Sequence, residues 1–142
     1  MDTPKDRIVV GVDGSESSKA ALRWAMRQAK MEGARVEAVA AWEYPAWSGF
    51  PPPVARFDLD EAASRSLDDA IAAAARDVPG CEVTSRVVEG NAARVLIDAA
   101  KGAGMLVVGN RGYGGFTEAL LGSVSQHCTH HAQCPVVIIR DA

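Results

Sequence analysis

Met105-Leu106-Val107-Val108-Gly109-Asn110-Arg111-Gly112 is a short apolar run that empties into glycine-spaced backbone. Four apolar residues without polar alternation suit a strand covered on both faces, as in a parallel sheet between helix layers. Nine residues then intervene before Gly122-Ser123-Val124-Ser125 and a helix-compatible stretch, giving the spacing G-x2-G-x9-G-S. Backbone without side chains can approach a phosphate closely, and free N–H groups at a helix start favour negative charge. The stretch therefore predicts a buried strand, a bare loop and a helix N-terminus that together suit a phosphate-bearing ligand.

Outward from it, the same alternation of elements repeats. Strand-like runs fall at residues 8–12, 36–41, 83–88, 105–108 and 136–139. The first, fourth and fifth are continuous apolar runs; the third alternates at Val83, Ser85 and Val87, which suits an edge strand. Helical patterns separate them. Residues 15–32 begin at a Ser15 or Ser17 cap, place Ala21, Leu22, Ala25, Met26 and Ala29 on one face, and stop at Gly33. Residues 59–77 are alanine-rich and end before Pro79-Gly80, residues 91–101 start at an Asn91 cap, and residues 123–133 precede Pro135. Strands alternating with helices mean βαβ units, hence an α/β fold with a parallel sheet and right-handed crossovers.

The chain of 142 residues has the length of one domain able to bury a core, with 48% hydrophobic and 23% charged residues. A net charge of -3 and the lack of a Lys/Arg run give no reason to expect nucleic acid or anionic membrane as a partner. No apolar stretch approaches membrane-spanning length, and the first residues lack the apolar segment of a signal peptide. Cys81, Cys128 and Cys134 read as reduced thiols of a cytoplasmic protein rather than a disulfide framework.

Two common nucleotide motifs are absent. There is no G-x-x-x-x-G-K-[ST], and Gly112-Tyr113-Gly114 fails as G-x-G-x-x-G because Thr117 stands at the third glycine position. Gly102-Ala103-Gly104 precedes a strand instead of following one. What remains is Gly109 and Gly112 after strand four and Asp13-Gly14 after strand one. Ligands of doubly wound sheets bind outside the carboxyl ends where strand order reverses. If strands one and four are neighbours across that point, Asp13 and the glycine loop share a crevice.

These segments carry a resemblance. Val9-Val10-Gly11-Val12-Asp13-Gly14-Ser15, Val107-Val108-Gly109-Asn110-Arg111-Gly112, Leu121-Gly122-Ser123-Val124-Ser125 and Cys134-Pro135-Val136-Val137 look like the ATP-binding branch of the universal stress protein family, along nearly the whole chain. The resemblance implies a doubly wound five-stranded parallel sheet in order 3-2-1-4-5 with helices on both faces. It also implies a homodimer, and ATP at the switch point, with cyclic AMP or AMP as alternatives. By the same likeness, Gly109 and Gly112 would let backbone N–H groups reach phosphate or ribose. Gly122, Ser123, Val124 and Ser125 would form the helix N-terminal phosphate site. Asp13 would accept from ribose hydroxyls or hold Mg²⁺ through a water. Backbone atoms of Val39, Ala40 and Ala41 would read the adenine edge, Val12 would line the base pocket, and Arg111 would meet a phosphate, remain in solvent or make a dimer contact.

Other features read more plainly. His127-Cys128-Thr129-His130-His131 places two histidines four apart, a spacing metals use, but without C-x2-C cysteines or a nearby acid it is read as ordinary helix. Trp24 and Trp42 are read as core or core-edge residues. Residues 43–58, rich in proline and aromatics, form a loop that is either a surface insertion or a lid. Three glycines (Gly112, Gly114, Gly115) suggest that the segment from Tyr113 to Leu121 moves when no ligand is bound. No nucleophile, base and orienting group are grouped, so a nucleotide-dependent regulatory module acting on an unknown protein partner is expected, with a slow ATPase or autophosphorylating enzyme as the alternative. The apolar run 136–139 suits an edge strand that pairs with a twin.

Overall fold

A computed structural model describes residues 6–43, 56–111 and 122–140. Five strands, β1 (Arg7–Gly11), β2 (Arg35–Trp42), β3 (Val83–Glu89), β4 (Met105–Gly109) and β5 (Val136–Ile139), form one sheet in order β3-β2-β1-β4-β5. Every pairing is parallel. Four helices, α1 (Glu16–Glu32), α2 (Arg56–Asp77), α3 (Ala92–Ala99) and α4 (Ser123–His131), connect them. The expected topology is the one observed, with β3 and β5 at the two edges.

The pleat sorts the strand side chains between two helix layers. Ile8, Val10, Ala38, Ala40 and Val107 join Leu22 and Met26 of α1 and Leu67 of α2 in one core. Val9, Val39, Leu106 and Val108 point the other way and meet Val95 and Leu96 of α3 and Cys128 of α4. Both faces of β1 and β4 are thus covered, which is why their sequences do not alternate.

Helix ends follow the local chemistry. Ser15 caps α1 by accepting from the Ser18 N–H, and Gly33 closes it in the left-handed region at φ 69°. Asn91 caps α3 by accepting from the Arg94 N–H. Boundaries differ from expectation by one to three residues. β1 starts and ends one residue earlier than expected, so Val12 lies beyond its end, with its N–H donating to the Val39 carbonyl at 2.9 Å. α2 begins at Arg56, three residues early. α4 stops at His131 because Ala132 is already extended at ψ 147°. Trp24 packs against the first core, and the Trp42 indole N–H donates to Asp60 Oδ1 at 3.0 Å. Of the loop expected over residues 43–58, residues 56–58 are already helical, and residues 44–55, like the segment 112–121, lie outside the described residues.

At the end of the sheet opposite the glycine loop, Arg7 ties layers together. Its guanidinium donates to the carbonyls of Ala99 (2.8 Å) and Lys101 (3.0 Å), at the C-terminus of α3. It also lies 3.6 Å from Glu37, which faces Arg86 at 3.5 Å on its other oxygen. A cation at the negative end of a helix is favourable, and hydrogen bonds from a charged donor exceed neutral ones. Arg7→Ala is expected to lower unfolding free energy by about 2 kcal/mol. Urea titration checks this: the midpoint should fall with the slope unchanged.

Candidate functional site

Strand order reverses between β1 and β4, since the connection from β1 runs to β2 on one side and β4 sits on the other. A cavity of about 300 Å³ opens there, beyond the carboxyl ends of both strands. Its apolar wall is built from Val12, Val39, Ala41, Leu96, Val108 and Val124. Its polar side holds Asp13, Ser18, Arg111, Ser123 and Ser125, with Gly11, Gly109, Gly122 and Ala92 completing the lining. The lining thus offers apolar surface for a flat ring and polar groups for a charged tail.

The polar side is organised by the serine-rich start of α1. Asp13 is exposed, and its Oδ1 accepts from the Ser15 N–H (2.9 Å) and hydroxyl (2.5 Å). The Asp13 N–H donates to Ser18 Oγ at 3.2 Å. Asp13 therefore stiffens the turn into α1, while the cap itself is Ser15. The buried Ser17 hydroxyl donates to the Arg111 carbonyl at 2.5 Å. From the opposite helix layer, the Ser125 hydroxyl donates to the Gly109 carbonyl at 2.6 Å. The end of β4 is pinned from both faces of the sheet.

Gly109 is glycine for a reason the sequence did not disclose. A Cβ built there would lie 2.8 Å from the Ser17 carbonyl carbon and 2.9 Å from its Cβ. The missing side chain lets α1 sit against β4, whatever the cavity holds. Gly11 is close to Leu96 in the same way, 2.6 Å from Cδ1. Asn110, between the two pinned residues, is buried and its Oδ1 has no hydrogen-bond partner.

Gly122 begins α4. Its N–H donates to the Asn110 carbonyl at 2.8 Å, and it supplies no side-chain cap. By helix geometry the N–H groups of Ser123, Val124 and Ser125 have no acceptor within the helix. These three residues line the cavity, so an uncapped positive helix end adjoins it.

Ten of the twelve site residues named from sequence line this cavity: Val12, Asp13, Val39, Ala41, Gly109, Arg111, Gly122, Ser123, Val124 and Ser125. Ala40 does not; its side chain is on the other sheet face, in the core with α1 and α2. Gly112 lies outside the described residues. The Val39 carbonyl already accepts from Val12, and the Ser125 hydroxyl is committed to Gly109, so these two polar groups have protein partners. Gly11, Ser18, Ala92, Leu96 and Val108 line the cavity without having been named. Leu96 and Val108 carried a signal only for core, and Ser18 only for a helix start.

Among the described residues no three or more His, Cys, Asp or Glu side chains are grouped to hold a metal. Nor is any helix among them long and apolar enough to cross a membrane. The three cysteines are free. Burial, with the neighbouring Cys134 adding to it, pushes the Cys128 thiol up to about 11, which leaves it protonated and inert at neutral pH.

Comparison with known proteins gives a consistent match. The model of the universal stress protein family matches residues 5–140. A universal stress protein of Mycobacterium tuberculosis is 38% identical over 146 aligned positions, covering 94% of this chain and 47% of the relative. The chain thus spans about half the length of the curated relatives it matches. A universal stress protein solved in complex with cAMP superposes with a TM-score of 0.70 at 25% identity, covering 99% of this chain and 100% of that one. One from Archaeoglobus fulgidus in complex with dAMP shares the fold, with a TM-score of 0.70 at 23% identity and coverage of 94% and 96%.

Proposed function

Because the chain belongs to the universal stress protein family, we propose that it is an adenine-nucleotide-binding regulatory module, with ATP as its ligand. The observation that carries this reading is the uncapped start of α4 facing a cavity with one apolar wall. Adenine would lie against Val12, Val39 and Leu96. The phosphates would take the N–H groups of Ser123, Val124 and Ser125, the Ser123 hydroxyl and the Arg111 guanidinium. Asp13 would accept from the ribose hydroxyls, or hold Mg²⁺ through a phosphate-bound water, with the oxygen that Ser15 does not use.

Regulation would follow from anchoring. Ligand contacts at residues 109–111 and 122–125 fix both ends of the intervening segment, which changes the surface offered to a protein partner. The edge strand β5, whose four aliphatic residues are all half-buried, would pair with the same strand of a second copy. A single nucleotide-binding unit working in the cytoplasm fits the three free thiols.

Cyclic AMP is the second reading, favoured by the cAMP complex of the 25% identical relative. Calorimetry with ATP, AMP and cyclic AMP separates the two. ATP should bind tightest, and Asp13→Ala should weaken it about tenfold, roughly 1.4 kcal/mol. Tighter binding of cyclic AMP would overturn the ATP assignment. Bound nucleotide should be retained without phosphate release; rapid turnover abolished by Asp13→Ala would make the protein an enzyme instead.

A further inference from the structure

The histidines of α4 were set aside on sequence grounds, yet their arrangement carries chemistry that the nucleotide cavity does not use. His127, His130 and His131 are all exposed, and the buried face of the helix is taken by Ser125 and Cys128. His127 and His131 stand one turn apart on the same side, their ring centres 6.0 Å apart and their planes tilted by 33°. A metal bound to one nitrogen of each ring sits roughly 3.2 Å from each ring centre, so rings spaced this way need little movement to share one ion.

The tautomer is also set. His127 Nδ1 lies 3.1 Å from the Ser123 carbonyl oxygen. A carbonyl only accepts, so in the neutral ring Nδ1 carries the proton and Nε2 keeps its lone pair. A backbone carbonyl holding one imidazole N–H is the support that metal-binding histidines commonly have. The site lies in the last turn of α4, at the negative end of the helix, and α4 has no Lys or Arg to repel a cation. His130 is adjacent to His131, with ring centres 6.3 Å apart and planes at 59°, and consecutive residues on a helix do not face each other.

We propose that His127 and His131 form a two-histidine chelate for a borderline divalent transition-metal ion such as Zn²⁺, with water filling the remaining positions. Imidazole nitrogens suit zinc, copper and nickel rather than Mg²⁺ or Ca²⁺.

The test is a Zn²⁺ titration of the full chain followed by long-range proton–nitrogen spectra of the imidazole rings. Nε2 of His127 and Nε2 of His131 should shift together and saturate at one equivalent, with His130 unmoved. His127→Ala and His131→Ala should each lower Zn²⁺ affinity by more than about tenfold, while His130→Ala should not. All three positions are exposed, and circular dichroism checks that each variant remains folded. Equal shifts of all three rings, no ring shift, or full affinity in either His127→Ala or His131→Ala would overturn the proposal. The readout involves no nucleotide, so its outcome is independent of the proposed ATP site.

Discussion

Gly109→Ala is expected to lower the unfolding free energy by about 3 kcal/mol, the upper range for forcing a methyl group into a filled site. The new Cβ would meet Ser17 backbone carbon at 2.8 Å, and backbone cannot swing aside as a side chain can. α1 would have to lift from β4, loosening the Ser17 hydroxyl from the Arg111 carbonyl. Urea unfolding without any nucleotide measures the effect, which should appear as a lower midpoint with an unchanged slope. A glycine needed only for phosphate approach would leave that midpoint where it was. Ser17→Gly in the same chain should recover little, because the carbonyl carbon remains in place.

Gly122→Val should do the reverse, sparing the sheet and removing the ligand. Gly122 has φ -67° and ψ 161°, extended backbone that valine adopts readily. A branched side chain at the mouth of α4 would keep phosphate away from the N–H groups of Ser123 and Val124. ATP affinity should fall by more than about 100-fold, roughly 2.7 kcal/mol. Calorimetry measures the loss, and circular dichroism verifies the fold. Unchanged affinity in a folded variant would mean that α4 does not receive the phosphates.

The contrast between these two glycines shows what sequence could and could not disclose. Strand identity was legible because burial on both faces leaves an unbroken apolar run in β1 and β4, and the polar residues Thr84, Ser85 and Arg86 mark β3 as an edge strand. The strand order, and with it the switch point where Asp13 meets Gly109, Gly122 and Ser123, came from the family resemblance rather than from the strand patterns themselves. Tertiary partners were not legible. Nothing around Gly109 names Ser17, 92 positions earlier, as the atom group that excludes a side chain. The resemblance made the Ser125 hydroxyl a phosphate donor; here it is directed onto the Gly109 carbonyl. Ala40 was grouped with Val39 and Ala41 as one backbone edge, although a strand turns alternate residues to opposite faces. Leu96 was hidden because a residue that fills a core and one that floors a cavity obey the same periodicity.

The contact between Ser17 and Gly109 has a consequence for descent as well as for folding. Position 109 is constrained by the backbone of residue 17 rather than by its side chain, so glycine at 109 is expected to persist whichever residue stands at 17. A lineage that lost its ligand altogether would still keep glycine at 109, because the helix seat would continue to select for it. By contrast, Gly122 has backbone that any residue can adopt and lines the cavity, so loss of the ligand would remove one reason to keep glycine there. Among descendants of a common ancestor, position 122 is therefore the place where abandonment of the ligand would be recorded, and position 109 is where it would leave no trace.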